Sequence, residues 1–161
     1  MIVRSLAVLQ NGRLASGCYD GTIQICDLAT RERIKFYGHE TSVFSLAILG
    51  DGRLASGSSD HSIKILNSAT GVCMATLQGH NGTVWSLAAL VGGRLASGSG
   101  DNMIKIWNLN HLIPGMACVA TLEGHEKGVN SLAVLEGGRL ASGSDDENIK
   151  IWDSALSNIL R

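Results

Sequence analysis

Histidine, serine and aspartate recur together along this chain, and hydrolases build nucleophilic triads from these residue types. The three residues appear in the same order at constant spacing as His39, Ser56 and Asp60, as His80, Ser97 and Asp101, and as His125, Ser142 and Asp146. A catalytic set is not expected in every copy of a repeat, and no Gly-x-Ser-x-Gly nucleophile elbow surrounds these serines. The pattern therefore favours a structural role, and the sequence predicts a protein that is not an enzyme.

The chain consists of four copies of one repeat. The segment Arg-Leu-Ala-Ser-Gly recurs with spacings of 40, 41 and 45 residues, beginning at Arg13, Arg53, Arg94 and Arg139. Such periods are typical of repeat architectures, so residues 1–161 are interpreted as a single array with approximate copies 1–37, 38–78, 79–123 and 124–161. The last spacing is longer because residues 109–115 carry an insertion with the chain's one proline. We expect this insertion to form a surface loop.

Alternating apolar and polar residues predict four short strands in each copy. In the second copy these are residues 43–49, 53–58, 62–66 and 72–77. Type I′ turns are expected between the first two strands, at Asn11-Gly12, Asp51-Gly52, Gly92-Gly93 and Gly137-Gly138. A four-stranded meander that is apolar on both faces is not stable alone. We therefore expect the copies to stack radially into an all-β propeller made of four-stranded antiparallel blades.

Two dipeptides mark the same places in successive copies. Gly-His precedes the first strand at residues 38–39, 79–80 and 124–125, and Trp-Asn or Trp-Asp ends the third strand at residues 107–108 and 152–153. With Ser-Gly-Ser-x-Asp between them, these residues resemble the WD-repeat β-propeller family over residues 1 to about 160. The resemblance implies four WD-type blades, named blades one to four in chain order.

The same resemblance implies a hydrogen-bonded tetrad of His, Ser, Asp and Trp in each complete blade. The tetrads are His80, Ser97, Asp101 and Trp107 in blade three, and His125, Ser142, Asp146 and Trp152 in blade four. Blade two has a partial set, His39, Ser56 and Asp60, with Leu66 at the tryptophan position. Blade one has Asp20 but no histidine. We therefore expect blades three and four to be the rigid part and blade one the least protected.

Composition excludes several function classes. Hydrophobic residues make up 45% and charged residues 17%, which is typical of a folded chain. The net charge of -1 gives no electrostatic footprint for nucleic acid or an anionic membrane, and no apolar run is long enough to span a bilayer. We expect a cytoplasmic protein with no cofactor and no metal site. The four scattered cysteines are expected to be reduced and buried.

The number of blades raises the question of ring closure, since the resemblance implies seven or eight blades per ring. Only seven of 161 residues are aromatic, and small side chains favour a ring larger than four blades. The ends of the chain align within the repeat so that a second chain would complete the ring. A homodimer that forms an eight-bladed ring is the favoured hypothesis. The alternatives are another oligomer, a partner-completed ring, a longer natural array and a closed four-bladed monomer.

The resemblance also implies a platform for protein–protein interaction, with partners on the face made by the loops around the channel mouth. We call this the loop face. Its predicted contact residues vary within nearly identical repeats: Arg4, Tyr19, Phe44, Ser59, Trp85, Gly100, Asn130 and Asp145. The predicted partner is a peptide or protein segment of unknown identity. The alternative is a structural fragment or an engineered repeat array whose only activity is self-assembly.

Overall fold

The computed structural model describes residues 2–110, 112, 117–153 and 159–160. It contains four four-stranded antiparallel sheets, and each sheet is a meander in chain order. The prediction of an all-β fold with four short strands per copy is therefore confirmed. The insertion at 109–115 lies largely outside the described residues, so the loop expected there stays a prediction.

Each sheet supplies one blade. Blade one contains β1 (Val3–Val8), β2 (Arg13–Cys18), β3 (Thr22–Asp27) and β4 (Arg33–Tyr37). Blade two contains β5 (Val43–Ile48), β6 (Leu54–Ser58), β7 (Ile63–Leu66) and β8 (Cys73–Leu77). Blade three contains β9 (Val84–Leu90), β10 (Arg94–Ser99), β11 (Ile104–Asn108) and β12 (Cys118–Leu122). Blade four contains β13 (Val129–Val134), β14 (Leu140–Ser144), β15 (Ile149–Trp152) and β16 (Ile159–Leu160).

The turns between the first two strands differ from the type I′ turns expected. In blade two, the hydrogen bonds Leu49 N–Arg53 O and Gly52 N–Leu49 O enclose three residues rather than two. Of the Asp51-Gly52 pair, only Gly52 has positive φ, at 84°. The Asp51 carboxylate instead accepts a hydrogen bond from the Arg53 backbone N–H at 3.1 Å. The predicted two-residue type I′ turn is wrong in blade two, where a three-residue loop ends on one left-handed glycine. In blade four the hydrogen bond Leu135 N–Arg139 O also encloses three residues, although both Gly137 and Gly138 have positive φ.

The hydrophobic core lies between the sheets. Neighbouring blades share three apolar clusters, one for each internal interface, and strand β1 packs on β5, β5 on β9 and β9 on β13. In the described part of the chain, no packing of comparable extent joins β13 to β1. The outward faces of blades one and four are exposed, and the described residues do not form the closed four-bladed ring considered from the sequence.

The cysteines are not uniformly buried as expected. All four are free, but Cys18 is buried whereas Cys73 and Cys118 are exposed on the outer strands β8 and β12. Exposure follows from position, because these outer strands form the edge of each blade. Within the described ranges, no helix has the length and apolar character needed to cross a membrane.

Candidate functional site

The two tetrads are compact chains of hydrogen bonds between the loop before each blade and its strands. In blade three, His80 Nδ1 lies 2.7 Å from Asp101 Oδ2, and His80 Nε2 lies 2.7 Å from Ser97 Oγ. The Trp107 indole N–H donates to the same Ser97 oxygen at 2.8 Å. Blade four repeats this arrangement at 2.8 Å for each of the three contacts, with His125, Asp146, Ser142 and Trp152.

Electrostatics assigns the proton positions. Burial alone would raise the pKa of Asp101, but hydrogen bonds from the Asn81 backbone N–H and from His80 outweigh it and lower the pKa. The ionised carboxylate only accepts hydrogen bonds, so His80 Nδ1 carries the proton and its Nε2 accepts from the Ser97 hydroxyl. Burial lowers the pKa of His80 despite the nearby carboxylate, so the imidazole is neutral. All the polar groups of the tetrad are thereby paired, and we call this arrangement a clamp.

Blades one and two have less complete clamps. In blade two, His39 lies 2.8 Å from both Asp60 and Ser56, while the buried Leu66 replaces the indole donor. In blade one, Asp20 accepts from the Thr22 hydroxyl at 2.6 Å, and this contact lowers the pKa of its exposed carboxyl. In blade one, therefore, no histidine links the turn aspartate to the first strand.

A second serine in each complete blade was missed by the sequence analysis. The Ser99 hydroxyl donates to Gly82 O at 3.0 Å and accepts from the Asp101 backbone N–H at 3.2 Å. Ser144 makes the corresponding contacts with Lys127 O and Asp146 N. These hydroxyls fix the turn that carries the tetrad aspartate. The signal was present in the repeated Ser-Gly-Ser motif, where blade one has Cys18 in place of the second serine.

We expect the protein to lose stability on mild acidification. His39 and His80 have lowered pKa values in the folded state, so below about pH 6.5 the unfolded chain binds more protons and stability falls with pH. A second loss is expected below pH 3.8, where the unfolded aspartates protonate before Asp60 and Asp101 do. Melting temperatures measured between about pH 8 and pH 3 check both steps.

The variant for this pH profile is His80→Gln, which removes one group whose pKa is lowered in the folded state. It should flatten the step near neutral pH. A profile that is flat between about pH 7.5 and pH 5 in the unmodified protein would contradict the assignment of neutral buried histidines.

The loop face lies at the end where the first strands begin and the turns between second and third strands lie. The Arg4 guanidinium stacks over the rings of Tyr19 and Phe44, 5.6 Å from each centroid. Tyr19 is exposed and Phe44 half-buried, and this group joins blades one and two. Three of the eight predicted contact residues are thus in one cluster.

The other five predicted contact residues form smaller groups. Trp85 is half-buried against Gly100 of its own blade and Gly128 of blade four, where an added methyl group would lie 2.5 Å from the indole. The Asn130 side-chain amide donates to Asp145 Oδ1 at 2.7 Å. The Ser59 hydroxyl donates to Thr41 Oγ1 at 3.0 Å. The polar groups of Asn130, Asp145 and Ser59 therefore already have partners within their own blades.

Among the described residues there is no metal centre, and a cavity lies at the end opposite to the loop face. No group of three or more His, Cys, Asp or Glu side chains in these ranges has the arrangement of a metal site. A cavity of about 290 Å³ lies between blades two and three at the opposite end, lined in part by Arg53 and Arg94. The Arg53 guanidinium there already pairs with Asp51 at 2.6 Å and with Leu109 O at 3.2 Å.

Comparison with known proteins gives one family. The family described as "WD domain, G-beta repeat" matches four tandem segments, residues 2–27, 31–67, 71–108 and 116–153. The resemblance inferred from the sequence is therefore confirmed. A search of curated proteins gave no match.

Solved structures share the fold. The crystal structure of RRP9 WD40 repeats superposes with a TM-score of 0.90 at 25% identity, covering 99% of this chain and 50% of that one. The structure of U3-55K gives 0.90 at 25% identity, covering 99% and 51%. The computationally designed Ika4 protein gives 0.82 at 27% identity, covering 93% and 89%. This chain therefore spans about half the length of the first two structures and most of the third.

Proposed function

Because the chain belongs to the WD40 family of G-beta repeats, we propose that it is a non-enzymatic scaffold that binds a peptide or protein segment on its loop face. WD40 domains generally mediate protein interactions, and neither the family match nor the solved neighbours indicate an enzymatic family. The paired state of each tetrad also argues against a hydrolase, since the serine hydroxyl of a complete tetrad is buried and donates to a buried imidazole.

The observation that carries the proposal is the concentration of aromatic side chains at one end of the molecule. Three of the chain's seven aromatic residues, Tyr19, Phe44 and Trp85, are at predicted loop-face positions and are at least partly exposed. Aromatic and arginine side chains dominate recognition sites, because they supply a large contact area at modest entropic cost. The Arg4 stack orders the rim between blades one and two, and Phe44 and Trp85 offer apolar surface to the partner segment.

The test uses peptides selected from a random display library on the unmodified chain. Phe44→Ala and Trp85→Ala should each weaken binding of the selected peptides at least tenfold, with nearly unchanged melting temperatures. Val72→Ala is the control, since Val72 is an exposed apolar residue just before outer strand β8, at the opposite end of the blade. Unaltered binding by both loop-face variants would contradict the proposal. A loss of about 3 kcal/mol of stability in both variants would also contradict the proposal, because it would show that the two rings are part of the packed core.

A second candidate function is self-assembly into a closed ring by two copies of the chain. It is supported by the exposed apolar side chains on the outward faces of the end blades, which include Leu6, Val8 and Ile149. The similarity to Ika4 over most of both chains is consistent with a repeat protein of this length. Light scattering at micromolar concentration should give the mass of two chains. A compact single-chain species would contradict self-assembly and leave the loop-face proposal intact.

A further inference from the structure

A valine of one blade packs onto a glycine of the preceding blade at every internal interface. Val43, Val84 and Val129 begin their blades' first strands and are fully buried, at 0% exposure. A methyl group added at Gly17 or Gly57 would lie 2.6 Å from Cγ1 of Val43 or Val84, and one at Gly98 would lie 2.8 Å from Cγ1 of Val129. The missing side chain of each glycine is therefore the socket for the next blade's valine.

The two ends of the array carry the unpaired halves of this contact. Val3, the equivalent valine of blade one, is 48% exposed. Gly143 is the equivalent glycine of blade four, and among the described residues a methyl group there would meet only Ser131 and Asn130 of its own blade, at 3.7 and 3.9 Å. In the described part of the chain, one end therefore has a valine without a socket, and the other has a socket without a valine.

The surrounding apolar residues show the same complementarity. Ile23, Ile63 and Ile104 begin or lie near the start of the third strands and are completely buried against the following blade. The equivalent Ile149 of blade four is 78% exposed. This difference has no origin in residue type, because all four positions are isoleucine. It arises because the described chain places no blade after blade four.

A polar contact accompanies the first two internal interfaces, whereas Arg94 of blade three donates to Val91 O of its own blade at 3.5 Å. The Arg13 guanidinium donates to Ser68 O of blade two at 3.4 Å, and Arg53 donates to Leu109 O of blade three at 3.2 Å. In both cases the arginine at the start of a second-strand segment reaches the carbonyl that follows the next blade's third strand. At the two ends of the array, the corresponding donor is Arg139 of blade four, which is exposed. The corresponding acceptor is the Leu28 carbonyl of blade one.

We infer that blade four of one chain docks on blade one of a second copy in the register of the internal interfaces, with Val3 against Gly143 and Arg139 donating to the Leu28 carbonyl. The inference rests on the proposed self-assembly and specifies its contact. The occupant is a second copy because the unpaired valine and the unpaired socket belong to the same chain and match three interfaces already formed within it. Two such seams, related by a two-fold axis, close the ring.

The test measures mass by sedimentation for two variants, separately and mixed. Val3→Asp removes the valine and Gly143→Leu fills the socket, so each variant alone should lose the two-chain species. An equimolar mixture has one intact seam, between the socket of the first variant and the valine of the second, and one seam that carries both substitutions. A two-chain species with one copy of each variant should therefore form more weakly than in the unmodified protein and more strongly than in either variant alone. Its formation also shows that both variants fold. Val72→Asp, which adds the same charge at an exposed site just before outer strand β8, should stay two-chain.

Each alternative outcome contradicts a distinct statement. A single-chain species for the unmodified protein overturns both self-assembly and the seam. Two-chain species for the unmodified protein and for both variants overturn the seam register and leave self-assembly standing. A two-chain species that forms no more readily in the mixture than in either variant alone overturns the pairing of Val3 with Gly143. Assemblies of more than two chains overturn the two-fold ring.

Discussion

Asp101→Ala should lower the free energy of unfolding by about 3 kcal/mol, several times the loss from Asp20→Ala. The Asp101 carboxylate accepts hydrogen bonds from His80 Nδ1, the Asn81 backbone N–H and the Met103 backbone N–H, at 2.7 to 3.1 Å. Its removal leaves the buried Nδ1–H of His80 without an acceptor. The first strand of blade three then loses its link to the turn between the second and third strands.

The comparison with blade one isolates the contribution of the tetrad to stability. Asp20 occupies the same place in the repeat, but its side chain is half exposed and bonds to Thr22 within the same turn, with Lys35 3.9 Å away. Water replaces these contacts when the carboxylate is removed, so the loss should be small. Chemical denaturation of both variants gives the two free energies.

Self-assembly through blade one would stabilise that blade and hide part of the difference. Both aspartate substitutions are therefore best measured in a Val3→Asp background, in which the proposed seam is absent. Equal losses for Asp101→Ala and Asp20→Ala in that background would show that the complete tetrad contributes no more to stability than an exposed turn contact. The expected gradient of rigidity from blade four to blade one would then be wrong.

The fold was predictable from the sequence because the repeat gives the same information four times. One strand pattern is ambiguous alone, but four copies in phase fix the number of strands and the stacking of blades. The turns were predicted less well. A glycine at positive φ fits both a two-residue and a three-residue loop, and only the hydrogen bonds around Leu49 and Arg53 distinguish them.

The loop face was less predictable than the tetrads. Each tetrad depends on residues of one blade and its own preceding loop, so a constant spacing describes it. The position of Arg4 over Tyr19 and Phe44 depends instead on the rotation between two blades. The same holds for Trp85, which contacts Gly128 of the next blade. Such contacts depend both on side-chain volume and on the rotation between blades. No local pattern in the sequence predicts these contacts.

Gly57→Ala should destabilise the protein by about 2 kcal/mol, whereas Gly143→Ala should leave the stability of the single chain unchanged or slightly raised. At Gly57, the new methyl group would lie 2.6 Å from both Val84 Cγ1 and Ser45 Oγ. Val84 is completely buried between blades two and three, so relief of the contact requires the two sheets to separate. Overpacking of this kind is costly because interiors are densely packed.

Gly143 is the matched control because it holds the same place in the repeat and the same Ser-Gly-Ser motif. Neither glycine has positive φ, so alanine introduces no backbone strain at either position. Among the described residues, the nearest atoms to a methyl group at Gly143 are 3.7 and 3.9 Å away, which is ordinary contact distance. Alanine there also restricts the unfolded chain, which favours the folded state by about 0.4 to 1 kcal/mol.

The two variants are compared by chemical denaturation in the Val3→Asp background, so that the stability of a single chain is measured. The expected result is a large loss for Gly57→Ala and none for Gly143→Ala. In the chain that retains Val3, Gly143→Ala should instead weaken the two-chain species, since the methyl group would then meet the partner valine as Gly57→Ala meets Val84. Equal losses of stability for both variants in the background chain would contradict the open socket on blade four. They would show that each strand needs its glycine for a reason other than the packing of the next blade.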